Sequence, residues 1–214
     1  MRPMLIVALL IVAAGRAHAD PVLAVVRIPS HGASATVIET RPGYSLLLGC
    51  AHAFEGADRT RPIHLDVPVA QAGPPRRAAI RLLAVDYRAD LSLVVLEDGP
   101  LAHVAPVAPA GHAPSRNVLS IGYDEMRWPA QAMPATILGG SGATTLTRER
   151  PWQGRSGGAL LDAEHGLLIG VVQGYEVGGA RRGMYVSHAA VLRFLQRQRT
   201  APSPPRDLRP DCPT

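Results

Sequence analysis

The feature that most constrains this chain is its punctuation. Short runs rich in Val, Ile, Leu and Tyr recur at 22–28, 35–39, 44–48, 63–69, 79–85 and 91–96, each bounded by Gly, Pro, Asp or Asn-type turn signals. A Pro/Gly/Ala-rich stretch over 98–115 breaks the rhythm, and strand-like runs resume at 118–122, 135–138, 167–172 and 184–186. Such spacing predicts an all-β chain in two halves joined by a linker. Composition agrees: 20 prolines and 21 glycines with only 4% aromatics leave little room for long helices. One helix is expected after Ser187, an N-capping residue, because Val191, Phe194 and Leu195 then fall on one face and Arg193, Arg197 and Arg199 on the other. From residue 200 to 214 the prolines at 202, 204, 205, 210 and 213 predict an extended, disordered tail. A length of 214 residues suffices for a hydrophobic core without metal or disulfide support.

The first 19 residues read as a cleavable export signal: Arg2, an apolar stretch from Met4 to Ala14, and the small-x-small triplet Ala17-His18-Ala19, with cleavage before Asp20. That apolar stretch is shorter than the ~20 residues a membrane-spanning helix needs. The mature chain, 20–199 followed by the tail, is therefore expected to be secreted or periplasmic, with no membrane attachment after signal removal. All 22 basic residues are Arg, which suggests GC-rich bacterial coding; they are scattered and not interleaved with aromatics, which argues against a nucleic-acid partner. The two cysteines allow at most one disulfide, and Cys50, inside an apolar run, reads as a buried unpaired thiol.

Three segments carry chemistry. Gly154-Arg155-Ser156-Gly157-Gly158 sets a serine among glycines, whose backbone freedom lets amide N–H groups converge on one point. A serine hydroxyl is a weak nucleophile alone and needs a base and a group that orients the base. His52 ends an apolar run, Leu48-Gly49-Cys50-Ala51-His52, and Asp90 opens another, Asp90-Leu91-Ser92-Leu93. Gly154-x-Ser156-x-Gly158 also satisfies the nucleophile elbow of α/β-hydrolases, but that fold places its histidine last, leaving His165 or His188 with Asp162 or Glu164, and it needs alternating strands and helices that are missing here.

In their order His, Asp, Ser, these blocks resemble the trypsin-like serine proteases across nearly the whole mature chain, in style closest to bacterial Deg-type domains without a PDZ domain. The resemblance implies a chymotrypsin-like fold: two six-stranded antiparallel β-barrels, about 20–100 and 115–187, packed together, with a helix over 188–199. It implies a triad of His52, Asp90 and Ser156, an oxyanion hole from the Gly154 and Ser156 amides, and hydrolysis of a peptide or protein bound in extended form along Gln173, Gly174 and Tyr175. Arg150 falls where the family sets primary specificity, which implies a preference for acidic side chains unless Tyr175 closes the pocket or Arg150 points to solvent. Arg155 stands where animal enzymes carry an acid that pairs with a new N-terminus, so no such activation switch is expected. Neither metal nor organic cofactor is implied. Two other readings stay open: a catalytically silent domain that binds peptides or proteins, and a scaffolding role through the tail or Cys212.

Overall fold

The computed structural model describes residues 20–57, 62–69, 73–178 and 180–200; the expected signal, the tail beyond Thr200 and Cys212 lie outside them. The runs read from the sequence become strands that close into two antiparallel barrels. The first contains β1 (Val25–Ile28), β2 (Ala33–Arg41), β3 (Tyr44–Gly49), β4 (Ile63–Val67), β5 (Arg76–Asp86) and β6 (Leu91–Leu96), in the spatial order β1-β2-β3-β6-β5-β4. The second contains β7 (Asn117–Gly122), β8 (Gln131–Ser141), β9 (Thr144–Thr147), β10 (Ala159–Asp162), β11 (Leu168–Tyr175) and β12 (Gly183–Ser187), in the order β10-β11-β12-β9-β8-β7. The single helix, α1 (His188–Thr200), follows, with Ser187 Oγ accepting the Ala190 amide as the cap. Among the described residues no helix is long and apolar enough to cross a membrane.

Period-two alternation sorts the side chains. Leu47, Val37, Val94 and Leu96 fill one barrel, and Leu160, Val172 and Tyr185 the other. Their neighbours Leu48, Leu93, Ala159, Val171 and Val186 face the opposite way and join Phe194 of α1 in a third cluster drawn from both barrels. Strand β6 is buried at every position, since both its faces meet core, which is why its sequence is apolar except at Ser92, whose hydroxyl donates to Cys50 O at 3.1 Å.

Two strands escaped the sequence reading. β9 is a Thr-rich segment beside Gly139, Gly140 and Gly142, and β10 has only four residues. Each is fixed by pairing on both edges, β9 between β8 and β12 and β10 between β7 and β11. Conversely, β5 and β8 are each 11 residues long, longer than their apolar runs, because register shifts at Leu82/Ala84 and Ile137/Gly139 let them bend around the barrels.

The linker is stitched to both halves: the Ala105 amide donates to Val37 O in β2 and the Ala108 amide to Leu168 O in β11, both at 2.9 Å. Arg27 of β1 crosses the seam as well. Its guanidinium pairs with Asp66 at 2.6 Å, donates to Met126 O at 2.6 Å, and lies over the stacked rings of Tyr123 and Trp128.

Candidate active site

Asp90 is reached by the turn that joins β5 to β6. Asp86 Oδ1 accepts the Arg88 and Ala89 amides, and Asp90 itself sits at φ 54°, a left-handed conformation that an Asp tolerates better than most residues. That twist aims the carboxylate at the one-turn 3-10 segment His52–Phe54 after β3. Asp90 Oδ1 accepts the amides of Ala51 and His52 at 3.0 and 2.9 Å, and its two oxygens lie 3.0 and 2.9 Å from His52 Nδ1. Gln173 Nε2 adds a 3.4 Å contact to Oδ2. Burial pushes the Asp90 carboxyl up, but the His52 ring and amide outweigh it and hold it below the usual range. The same bond to Asp90, helped by Cys50, raises the His52 imidazole to about 10.

With Nδ1 engaged by Asp90, the free base position is Nε2, which lies 3.6 Å from Cys50 Sγ. The Ser156 hydroxyl donates to Gln173 O at 3.1 Å. The structure thus brings His52 and Asp90 into direct contact and links Ser156 to them through Gln173; serine and imidazole each hold another partner. Cys50 is buried and free.

The serine loop is held by both barrels. Ser156 O accepts the Ser34 amide of β2 at 2.8 Å, while the Gly157 amide donates to Val172 O of β11 at 2.8 Å. Space dictates the glycines. At Gly157, φ is 85° and a Cβ would sit 2.1 Å from Ser34 O; at Gly154, φ is 93° and a Cβ would sit 2.5 Å from Tyr123 O. Gly154 O is taken by Ser34 Oγ at 2.9 Å, whereas the Gly154 and Ser156 amides donate to no acceptor among the described residues.

Arg155, between those amides, is buried to 1% exposure. Its Nε and Nη2 form a forked pair with the Asp124 carboxylate and Nη1 donates to Ser120 O at 2.5 Å. Sequence reasoning placed Arg155 but missed Asp124, which lies 31 residues away in an irregular segment.

Beyond Val172 the edge of β11 facing the serine has no partner strand among the described residues, while β12 pairs the other edge at Gly174 and Tyr175. Beyond the Gln173 carbonyl, which accepts the Ser156 hydroxyl, that serine-facing edge is unpaired at Gly174 and Tyr175 among the described residues. The Arg150 guanidinium packs on the face of Tyr175, 3.4 Å from the ring centroid, so the two residues form one stacked unit.

Comparison with known proteins places this geometry. The family described as a trypsin-like peptidase domain matches residues 33–171. Three solved structures are similar in fold. The HtrA-type protease AlgW with decapeptide is 22% identical, with TM-score 0.62, covering 77% of this chain and 50% of that one. A serine endoprotease from Yersinia pestis is 20% identical, with TM-score 0.64, covering 84% and 63%. An inactive serine-to-alanine mutant of Rv3671c from M. tuberculosis H37Rv is 20% identical, with TM-score 0.66, covering 86% and 91%. The chain thus spans half the length of the HtrA-type protein it matches. Among curated proteins, none matches.

Proposed function

The chain belongs to the trypsin-like peptidase family, and from that premise we propose that it is an exported serine endopeptidase acting through His52, Asp90 and Ser156. The observation that carries the reading is the bond from His52 Nδ1 to the Asp90 carboxylate at 2.9 Å, which fixes the tautomer with Nε2 as the base.

Ser156 releases Gln173 O and turns its hydroxyl to Nε2. Its oxygen then bonds to the scissile carbonyl carbon as His52 takes the proton, and the oxyanion is received by the Gly154 and Ser156 amides. The imidazolium returns the proton to the leaving amine as the C–N bond breaks, and water repeats the sequence on the acyl-enzyme. The substrate is a peptide or protein segment in extended form, added as a strand to the open edge at Gln173–Tyr175. The stacked Arg150 and Tyr175 wall its first subsite, where the guanidinium favours an acidic side chain. Export rests on the N-terminal signal read in the sequence.

A second reading, a peptide-binding domain without turnover, draws support from the resting bonds: the Ser156 hydroxyl on Gln173 O and the imidazole beside Cys50. A serine-directed fluorophosphonate probe, with mass spectrometry of a peptide library digested by wild type and Ser156→Ala, decides between them. The proposal requires labelling and cleavage that both vanish in the variant; a wild type that binds peptide but neither labels nor cuts leaves the second reading.

A further inference from the structure

A second cluster of chemically competent side chains lies apart from the His52 site and shares no residue with it. Asp162 ends β10 and is fully buried. His112 comes from the linker and His165 from the hairpin between β10 and β11. His112 Nε2 lies 2.7 Å, and His165 Nδ1 3.2 Å, from the same oxygen, Asp162 Oδ2. The two imidazoles meet nearly edge to face, at 89° with centroids 5.5 Å apart. We propose that His112, Asp162 and His165 form a binding site for a divalent transition-metal ion of the zinc type, which clasps the linker onto the β10–β11 hairpin.

Charge is the first argument. A buried carboxylate is costly unless a cation faces it, and among the described residues Asp162 has no arginine partner: its ion-pair neighbours are His112 and His165. Its other oxygen is held by the Glu164 amide at 3.0 Å, with Ser115 Oγ at 3.5 Å. Two imidazole nitrogens are directed at the single buried oxygen Oδ2, and two nitrogens with a carboxylate oxygen form an ordinary donor set for zinc.

Geometry is the second. The three candidate donor atoms lie within 4.8 Å of one another. Tetrahedral zinc with bonds near 2.0–2.1 Å holds its donors about 3.3 Å apart, so the His112–Asp162 pair at 2.7 Å opens by roughly half an ångström, the His165–Asp162 pair at 3.2 Å already fits, and the two ring nitrogens, within 4.8 Å of each other, draw in around the ion. The parts that must move are able to, and the part that must stay is fixed. His165 is half exposed, so its ring is free to adjust toward an ion. Asp162 is anchored through Oδ1 by the backbone of its own hairpin, the kind of support that orients a metal-binding carboxylate. His112 is presented by a tight turn, its amide donating to Pro109 O at 3.1 Å with Gly111 at φ 83°.

The consequence is structural. The donors come from segments 50 residues apart and meet only when the linker is docked on the second barrel, so an ion bound there favours the docked state.

The test uses the full mature chain, stripped with a chelator and dialysed. Zn²⁺ is titrated by calorimetry, Co²⁺ is followed by its visible absorption, and thermal unfolding is recorded with and without Zn²⁺. The expected result is one Zn²⁺ per chain, a tetrahedral-type Co²⁺ spectrum and a rise in Tm. His165→Ala, an exposed change compatible with folding, weakens binding at least about tenfold and removes the Tm rise; Asp162→Asn, which keeps the side-chain shape, does the same. The proposal is overturned if neither metal binds saturably, or if His165→Ala binds Zn²⁺ with wild-type affinity and Tm rise. Should Asp162→Asn not fold, His165→Ala decides alone.

Discussion

Consider removing the partner of Arg155 by Asp124→Ala. In the folded protein the guanidinium is 1% exposed and its donors are committed to Asp124 and Ser120 O. Without Asp124 it keeps one carbonyl and no counter-charge, and breaking such a buried pair costs about 3–5 kcal/mol. Asp124 is itself 25% exposed, so water entering its place compensates in part, and the lower end applies, about 3 kcal/mol. For a domain of this size each kcal/mol moves Tm by about 2–4 °C, giving a fall of roughly 6–12 °C. Thermal and urea unfolding followed by circular dichroism measure it. The double variant Arg155→Met with Asp124→Leu removes both charges and should recover most of the loss. Because Arg155 is flanked by the Gly154 and Ser156 amides, Asp124→Ala should also lower kcat more than it raises KM, as misplaced oxyanion donors do. A Tm shift below about 2 °C for Asp124→Ala would refute the view that this pair holds the serine loop.

The other predictions concern the reacting groups and their packing. If His52 is the base, as proposed, it must be neutral to accept a proton, so activity should rise with pH, with the rising limb of kcat/KM well above the ordinary histidine value of 6.5; Asp90→Asn should move any residual limb to lower pH, checked by pH–rate profiles. The stability this pair contributes follows the same signs. The His52 part is complete below pH 6.5 and lost as pH rises toward about 10, and the Asp90 part is present above its unfolded value of 3.8 and lost as pH falls below it. Cys50→Ala removes the second support of the raised imidazole and should shift that limb to lower pH while the fold, judged by circular dichroism, persists. Gly157→Ala puts a methyl 2.1 Å from a backbone oxygen at φ 85° and should cost about 2–4 kcal/mol in urea unfolding, with loss of probe labelling. Arg150→Ala should flatten any preference for Asp or Glu in a cleavage profile; an unchanged profile excludes the Arg150–Tyr175 unit from selection.

The sequence carried the parts of this molecule that local pattern encodes. Alternation and turn residues marked most strands, and the apolar runs before His52 and after Asp90 marked two residues that the fold brings into contact, while Ser156 reaches them through Gln173. Contacts between distant, unpatterned positions were invisible. Asp124 lies in an irregular segment whose Glu125 and Met126 take φ of 49° and 60°, so no periodicity pointed from it to Arg155. His112, Asp162 and His165 lack the close, repeated spacing that betrays a metal motif, and the last two were weighed only as partners of a hydrolase serine. The strand Thr144–Thr147 was hidden by glycines because its order comes from neighbours on both edges rather than from its own propensity.

The peptide units around Ser156 are tethered on one side to Ser34 and on the other to Val172, so neither half of the molecule alone can shape the nucleophile's surroundings. On the proposed mechanism, a chain caught with a single half organised during synthesis should therefore be inert toward its neighbours and itself. Fragments divided within the connecting segment should regain hydrolysis only on mixing, which makes turnover a readout of assembly.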